Sequence, residues 1–113
     1  MNICGIHFPT TDELKEISHS NYIEMRTISI KSIFSLIADQ LTDAAEQGLT
    51  ETTIICFDTD YKCVDLHSVK DRDFILTKIM EVDENFSVEI RDHDYEKYNQ
   101  GKEYSGVDIT ISW

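Results

Sequence analysis

The chain has 113 residues, of which 22 are acidic and ten basic, so its formal net charge at pH 7 is −12. A chain of this length buries roughly two thirds of its unfolded surface, and 41% hydrophobic residues with a single proline predict one globular domain over residues 1–113. So acidic a protein is repelled by nucleic acids and by anionic membranes, which argues against direct binding to either. The charge predicts either a basic protein partner or solubility alone.

Residues 1–18 lack the basic start, the apolar run and the small-residue cleavage site of a signal peptide. No stretch reaches the ~18 apolar residues that a membrane span needs. Three cysteines (Cys4, Cys56 and Cys63) are an odd number without the spacing of a disulfide framework. We therefore expect a protein of a reducing cytoplasm.

The first 28 residues read as an N-terminal extension. Residues 3–8 predict a short strand, which Pro9 ends. Thr10 and Glu13 form a capping box that opens a short helix through about residue 18. Residues 21–28 are rich in β-branched and aromatic side chains, which favours an extended segment.

Residues 29–113 form the predicted core. Its main helix begins at Ser29, which is a suitable N-cap, and ends at Gly48, which suits a left-handed C-terminal residue. Ile28 before the cap is placed to pack on Ile33. Its apolar residues recur at three- and four-residue steps, with acids on the other side: Ile30, Ile33, Phe34, Ile37, Leu41, Ala44 and Ala45 against Asp39, Asp43 and Glu46. The spacing predicts an amphipathic helix that covers a core.

A continuous apolar run at residues 52–57 predicts a central strand, and residues 61–66 predict another short one. A second helix begins at Ser68, with inward-facing positions at Phe74, Ile75, Ile79 and Val82.

The last two strands alternate cleanly. Residues 86–91 and 106–113 predict an antiparallel hairpin with a long loop, in which Trp113 is buried. The hairpin leaves one polar face, made of Ser87, Glu89, Arg91, Asp108, Thr110 and Ser112. The predicted fold class is α+β, with a small antiparallel or mixed sheet of about four strands covered on one face by two main helices.

From about residue 29 onward the element order resembles small phage-encoded α+β proteins of unassigned function that end in an Ile-Ser-Trp strand. The matching pieces are residues 45–48 (Ala-Glu-Gln-Gly), residues 53–57 and residues 111–113. These are packing motifs over about two thirds of the chain. The resemblance implies a phage origin and assigns no catalytic or binding residue.

Four residues could supply a Cys₂His₂ zinc site, namely Cys4, His7, Cys63 and His67. Nothing in their spacing fixes a ligand geometry, because Cys63 and His67 would lie ~13 Å apart in a strand. The alternative is that both cysteines act as small hydrophobic residues and both histidines lie in loops.

Asp58 and Asp60 follow a predicted strand and could hold Mg²⁺, although both are also ordinary turn residues. His93, between Asp92 and Asp94, has the setting of a general base, but no motif supplies a nucleophile. Neither phosphate-binding loops nor metalloprotease motifs occur, so no enzyme activity and no cofactor are predicted.

Residues 81–96 hold seven acids and one base, with aromatic residues interleaved. Carboxylates spaced along a hairpin can imitate a row of phosphates, and exposed tyrosines are rigid interface anchors. The predicted partner-binding residues are Glu81, Asp83, Glu84, Glu89, Asp92, Asp94, Tyr95, Glu96 and Tyr98. The alternative interpretation is a solvated loop whose acids serve solubility.

These features predict a small acidic, non-enzymatic binding protein that docks on the basic nucleic-acid groove of another protein. The favoured setting is a phage-type inhibitor of a host defence nuclease, comparable to an anti-CRISPR or anti-restriction protein. The alternatives are a bacterial immunity protein against a nuclease toxin, a metal- or small-ligand-binding domain, an enzyme without a recognisable motif, and a homodimer formed across the open sheet face.

Overall fold

The computed structural model describes residues 2–101 and 104–113. Its helices and strands follow the order β1 (Asn2–Ile3), β2 (Ile6–His7), α1 (Thr11–Glu46), β3 (Glu51–Phe57), α2 (Val69–Val82), β4 (Ser87–Asp92) and β5 (Gly106–Ser112). A 3₁₀ turn (Asp58–Asp60) follows β3. The α+β class predicted from the sequence is confirmed.

The main sheet has the strand order β3-β5-β4 and is antiparallel throughout. The C-terminal strand β5 is therefore central, with Ile109 opposite Ile54 on one side and opposite Ile90 on the other. The predicted pairing of residues 86–91 with the C-terminal strand is confirmed. The described residues contribute three strands to this sheet rather than about four.

The missing strand is the one predicted over residues 61–66. This segment forms turns, with Cys63 in the left-handed region at φ 64°. The Lys62 carbonyl accepts a hydrogen bond of 2.7 Å from the Ser29 hydroxyl instead of pairing with a strand. Leu66 is fully buried, so the apolar residues of this segment fill the core from a loop.

Both helices cover the same face of the sheet, with α1 over β3 and α2 over β4. The core between them combines isoleucines of both helices with the inward positions of β3 and β5: Ile33, Ile37, Ile54, Cys56, Tyr61, Leu66, Ile75, Ile79, Val107, Ile109 and Ile111. On the opposite face Ser87, Glu89 and Arg91 are exposed, as the alternation predicts. The side chains of Thr53 and Thr110 are hydrogen-bonded there, with their oxygens 3.0 Å apart.

The N-terminal 28 residues differ most from the prediction. Residues 2–7 form a small hairpin, with Cys4 and Gly5 both at positive φ in its two-residue turn. Thr10 caps a helix as predicted, since its Oγ1 accepts from the Glu13 amide at 3.2 Å. That helix then continues without interruption to Glu46.

The prediction of an extended segment over residues 21–28 and a new helix at Ser29 is wrong. No glycine or proline occurs between residues 10 and 47, and β-branched residues cost a helix only a few tenths of a kcal/mol each. Ser29 lies within the helix and is buried, while Ile28 is 58% exposed and does not pack on Ile33.

The other helix ends follow local rules. Gly48 adopts φ 82°, and the amides of Gly48 and Leu49 donate to the carbonyls of Ala45 and Ala44, which completes a Schellman motif at the end of α1. Ser68 caps α2 by accepting from the Asp71 amide. Val82, predicted to face inward, is 80% exposed at the last residue of α2.

Trp113 is not buried as predicted. Its exposed fraction is 41%, and it follows Ser112, the last paired residue of β5. The strand end is held by the backbone instead, with the Trp113 amide donating to the Thr50 carbonyl at 3.0 Å.

We call residues 11–28 of α1 the arm. Every residue from 11 to 25 is exposed, and the molecule measures 66 × 35 × 25 Å. Arg26 anchors the base of the arm through two hydrogen bonds to Asp71, of 2.6 and 3.1 Å, and one to the Cys63 carbonyl. Within the described ranges, no helix is long and apolar enough to cross a membrane.

Candidate functional site

The predicted partner-binding residues lie along one border of the molecule. Strand β4 is an outer strand of the sheet, so one side of its backbone is not paired within it. We call the carboxylates of this border the acidic edge. They extend from the end of α2 through β4 into the following turn, and all are exposed: Glu81, Asp83, Glu84, Glu89, Asp92, Asp94 and Glu96. Tyr98 is 56% exposed in the turn, and Tyr95 is half-buried.

Four of these carboxylates are engaged within the molecule. Glu81 lies 3.4 Å from the Lys78 ammonium, and Glu89 accepts from Arg91 at 2.7 Å. Asp83 accepts from the backbone amide of the residue two positions later. Asp92 binds two cationic side chains, so its charge is largely compensated.

The remaining three carboxylates carry the accessible negative charge of the acidic edge. Among the described residues, Glu84, Asp94 and Glu96 form no ion pair with a basic side chain. Asp94 accepts only from the Lys97 backbone amide, at 2.9 Å. These three are the positions at which a cation from another molecule meets the least competition.

His67 connects the acidic edge to the rest of the sheet. Its Nδ1–H donates to Asp92 at 2.8 Å, and its Nε2–H donates to Asp58 at 2.8 Å. The hydrogen bond to Asp92, and then those to Asp58, raise the pKa of His67 although partial burial of the ring opposes this. Arg72 also binds Asp92, and these two cations lower the pKa of that carboxyl. The cluster fixes the end of β4 against the turn after β3.

His93 has a different environment from the predicted general base. It is buried, and its Nδ1–H donates to Asp108 at 2.7 Å rather than to either sequence neighbour. Its Nε2–H donates to the Gln100 side-chain oxygen. Burial of the ring opposes protonation, but the bonds to Gln100 and Asp108 outweigh it and raise the pKa of His93. No Ser or Cys side chain is bonded to the ring, so the geometry does not assemble a nucleophile with this base.

The role of His93 is to hold the turn that carries Asp94, Tyr95 and Glu96. The Tyr98 ring stacks on the imidazole with centroids 5.3 Å apart and an interplanar angle of 5°. The His93 amide donates to the Gly106 carbonyl, which joins the start of the turn to β5. Asp94 and Glu96 are thus carried by a turn that a buried histidine holds in place.

The four candidate zinc ligands are not brought together. Cys4 and His7 lie in the hairpin before the arm, whereas the Cys63 carbonyl meets Arg26 at its base. Fifteen helical residues separate positions 11 and 26, a rise of about 22 Å. No group of three or more potential metal-binding side chains occurs among the residues that the structure describes.

The carboxylates of Asp58 and Asp60 do not converge on one position at which they would both bind a metal ion. Asp58 is bonded to His67, and Asp60 is exposed. His67 in turn uses both ring nitrogens for carboxylates, so neither nitrogen has a lone pair free for a metal.

An apolar cleft between α1 and α2 was not predicted. It has a volume of about 680 Å³, and its walls include Phe34, Leu41, Phe74 and Phe86. The Lys78 side chain lies at its border, with the ammonium 5.7 Å from the Phe74 ring centroid. The helical periodicity marked these residues as core, and periodicity alone cannot tell a filled contact between helices from an open one.

Comparisons with protein-family models, curated proteins and solved structures found no match to this chain. The interpretation of the site therefore rests on its geometry and charge.

Proposed function

We propose that this is a small acidic, non-enzymatic binding protein whose acidic edge docks on a basic surface of a nucleic-acid-binding protein. One observation carries the proposal. The end of α2, an outer sheet strand and the turns on either side of that strand present seven exposed carboxylates, and the one arginine among them is bonded to Glu89. Such a border repels the same border of another copy and attracts a cationic groove.

The partner chemistry follows from the spacing of the charges. Strand β4 has six residues, a length of ~20 Å, and the acidic edge continues beyond both of its ends. A groove that binds a nucleic-acid backbone offers lysines and arginines over a comparable length. Tyr95 and Tyr98 at one end supply aromatic surface of the kind enriched at interfaces. Occupation of the groove would exclude the nucleic acid.

The biological setting that we favour is a phage-encoded inhibitor of a bacterial defence nuclease acting in the host cytoplasm. The resemblance of residues 29–113 to small phage-encoded proteins supports this setting. A bacterial immunity protein against a nuclease toxin has the same physical requirements and is the alternative.

The decisive experiment compares two triple charge reversals. The test variant is Glu84→Lys, Asp94→Lys and Glu96→Lys, which alters three of the four acidic-edge carboxylates that lack an ion pair. The fourth, Asp83, accepts from the backbone and side-chain amides of Asn85. The matched control carries Asp39→Lys, Asp43→Lys and Glu46→Lys, at exposed positions of α1. Each variant changes the net charge from −12 to −6, so a difference between them reports on position rather than on total charge.

The wild type and both variants are immobilised and exposed to bacterial lysate at low and high salt, and retained proteins are identified by mass spectrometry. The wild type is the reference for both variants. A nucleic-acid-binding protein retained in low salt is then purified, and its association rate is measured by surface plasmon resonance. We expect the test variant to lower that rate at least tenfold and the control to change it by less than about threefold. Equal binding by both variants, or no retained nucleic-acid-binding protein, would refute the proposal.

The α1/α2 cleft supports a second candidate function, the binding of a small apolar ligand. Its walls are apolar and aromatic, and Lys78 is placed to meet an acidic head group. Titration with a fluorescent fatty-acid analogue tests this, with Ala38→Trp as the variant that fills the cleft. Saturable binding that Ala38→Trp abolishes would support the candidate, and absence of saturable binding would eliminate it.

A further inference from the structure

The arm exposes several large apolar side chains to solvent. Between residues 14 and 28 six large hydrophobic side chains are at least 43% exposed: Leu14, Ile17, Tyr22, Ile23, Met25 and Ile28. The arm is also poor in strong helix formers, with serine, asparagine and β-branched residues in its middle. Most of the stability of helices in proteins comes from burying an apolar face against another surface. The arm therefore presents apolar surface for a partner to bury.

Five positions of the arm form a narrow stripe. At 100° per residue, Leu14, Ile17, Asn21, Met25 and Ile28 lie within an arc of about 80° on one side of the helix. The core-facing residues Ile33 and Ile37 of the same helix point roughly 120° and 160° away from the middle of that arc. The stripe thus faces away from the sheet and remains accessible.

The stripe is symmetric about its central residue. Its steps are three, four, four and three residues, so Leu14 and Ile28 are each seven positions from Asn21, and Ile17 and Met25 are each four. We propose that two copies of the chain pair through this stripe as antiparallel helices, with Asn21 at the two-fold axis. Leu14 then faces Ile28 of the second copy, and Ile17 faces its Met25. The two Asn21 amides hydrogen-bond to each other, which fixes the register as buried asparagines do in coiled coils.

The charges of the arm favour this orientation. Its tip carries Asp12, Glu13 and Glu16 against Lys15, while exposed Lys31 lies near its base. Glu13 and Lys31 both lie about 80° from the middle of the stripe, on the same side of it. Antiparallel pairing therefore brings Glu13 of each copy near Lys31 of the other, whereas parallel pairing places like charges together. Residues 11–28 carry a net charge of only −2, so −10 lies elsewhere in the chain. Antiparallel arms keep those two acidic regions at opposite ends.

The base of the arm offers a matching contact. A shallow depression of about 180 Å³ is bordered by Met25, Ile28, Thr59 and Lys62. In the antiparallel register Leu14 of the second copy lies beside Ile28, at this depression. An overlap of residues 11–31 is about 30 Å long and buries on the order of 1,000 Å² in total, at the low end of specific interfaces. We therefore expect a dimer with a dissociation constant in the micromolar range.

Sedimentation velocity at protein concentrations from 1 to several hundred micromolar (roughly two decades around that constant) tests the dimer. The variant Ile17→Lys lies in the stripe, and its control Ile23→Lys makes the same change about 160° from the middle of the stripe and about 120° from Ile17. The two isoleucines are similarly exposed, at 56% and 51%. We expect Ile17→Lys to weaken dimerisation about a hundredfold and Ile23→Lys to leave it nearly unchanged. A monomeric wild type, or equal effects of the two variants, would overturn the proposal.

Disulfide trapping tests the orientation. Leu14→Cys and Ile28→Cys are prepared separately with Cys4 and Cys63 replaced by serine, then mixed and oxidised. Antiparallel pairing predicts cross-links between the two variants and little cross-linking of either one alone. Efficient self-linking of Leu14→Cys would show parallel arms and overturn the proposal. The inference does not depend on the proposed function of the acidic edge, since it concerns a different surface and a different assay.

Discussion

The replacement Asp71→Ala tests how the arm is anchored to the rest of the molecule. Asp71 is 6% exposed and accepts three hydrogen bonds, two from Arg26 and one from the Asp65 amide at 2.8 Å. Alanine leaves the guanidinium and that amide without their acceptor. Breaking a buried ion pair costs about 3–5 kcal/mol, and the Arg26 side chain is 22% exposed, so water can replace part of the lost interaction. We expect a loss of about 3 kcal/mol.

Urea unfolding followed by far-UV circular dichroism measures this loss at one fixed protein concentration, because dimerisation would add to stability. With a slope of about 1.5 kcal/mol per molar urea, the midpoint should fall by about 2 M. The matched control is Asp73→Ala, an exposed acid two residues along α2 that should change stability by less than about 0.5 kcal/mol. A loss below about 1 kcal/mol for Asp71→Ala, or one equal to the control, would refute the reasoning.

The same variant should show a defined pH dependence. The hydrogen bonds from Arg26, opposed by burial, lower the pKa of Asp71 in the folded protein. A depressed carboxyl pKa stabilises the fold above the unfolded value of about 3.9, and this contribution is lost as the pH falls through the folded value. The difference between wild type and Asp71→Ala should therefore stay constant from pH 7 to pH 5 and shrink below about pH 4.

Three further predictions concern the sheet. Gly106→Ala should cost about 3 kcal/mol in urea unfolding, because the new methyl would clash with the Cys56 carbonyl and come within 2.8 Å of the Phe57 α-carbon; a loss under 1 kcal/mol would contradict the close approach. The pKa of His93 is raised in the folded protein, so the contribution of its protonated ring to stability is complete below the unfolded pKa near 6.5. This contribution is lost as the pH rises through the folded pKa. The free energy of unfolding should therefore fall over that pH range in wild type, and His93→Gln should flatten its dependence on pH. Trp113→Ala should cost only about 1–2 kcal/mol in thermal or urea unfolding, since 41% of the residue is exposed, and a loss above 3 kcal/mol would indicate burial in solution.

The acidic edge shows how much of the candidate site could be predicted from the sequence. Composition located seven carboxylates in one stretch, and alternation assigned part of that stretch to a strand. Neither could indicate that Asp92 is compensated by His67 and Arg72 while Glu84 has no ion pair. Those partners come from segments about twenty or more residues away, and charge compensation depends on distance in space.

What the sequence by itself determined are the features set by neighbouring residues. The Thr10 and Ser68 caps, the left-handed Gly48 and the alternating strands β4 and β5 depend on contacts within a few positions, so local chemistry decides them. Only the tertiary structure decided that Arg26 anchors α1 to Asp71, that Trp113 lies outside the core and that His93 meets Asp108 and Gln100. The physical reason is that packing and buried hydrogen bonds join residues far apart in the chain, and their free energies exceed the few tenths of a kcal/mol by which local propensities differ.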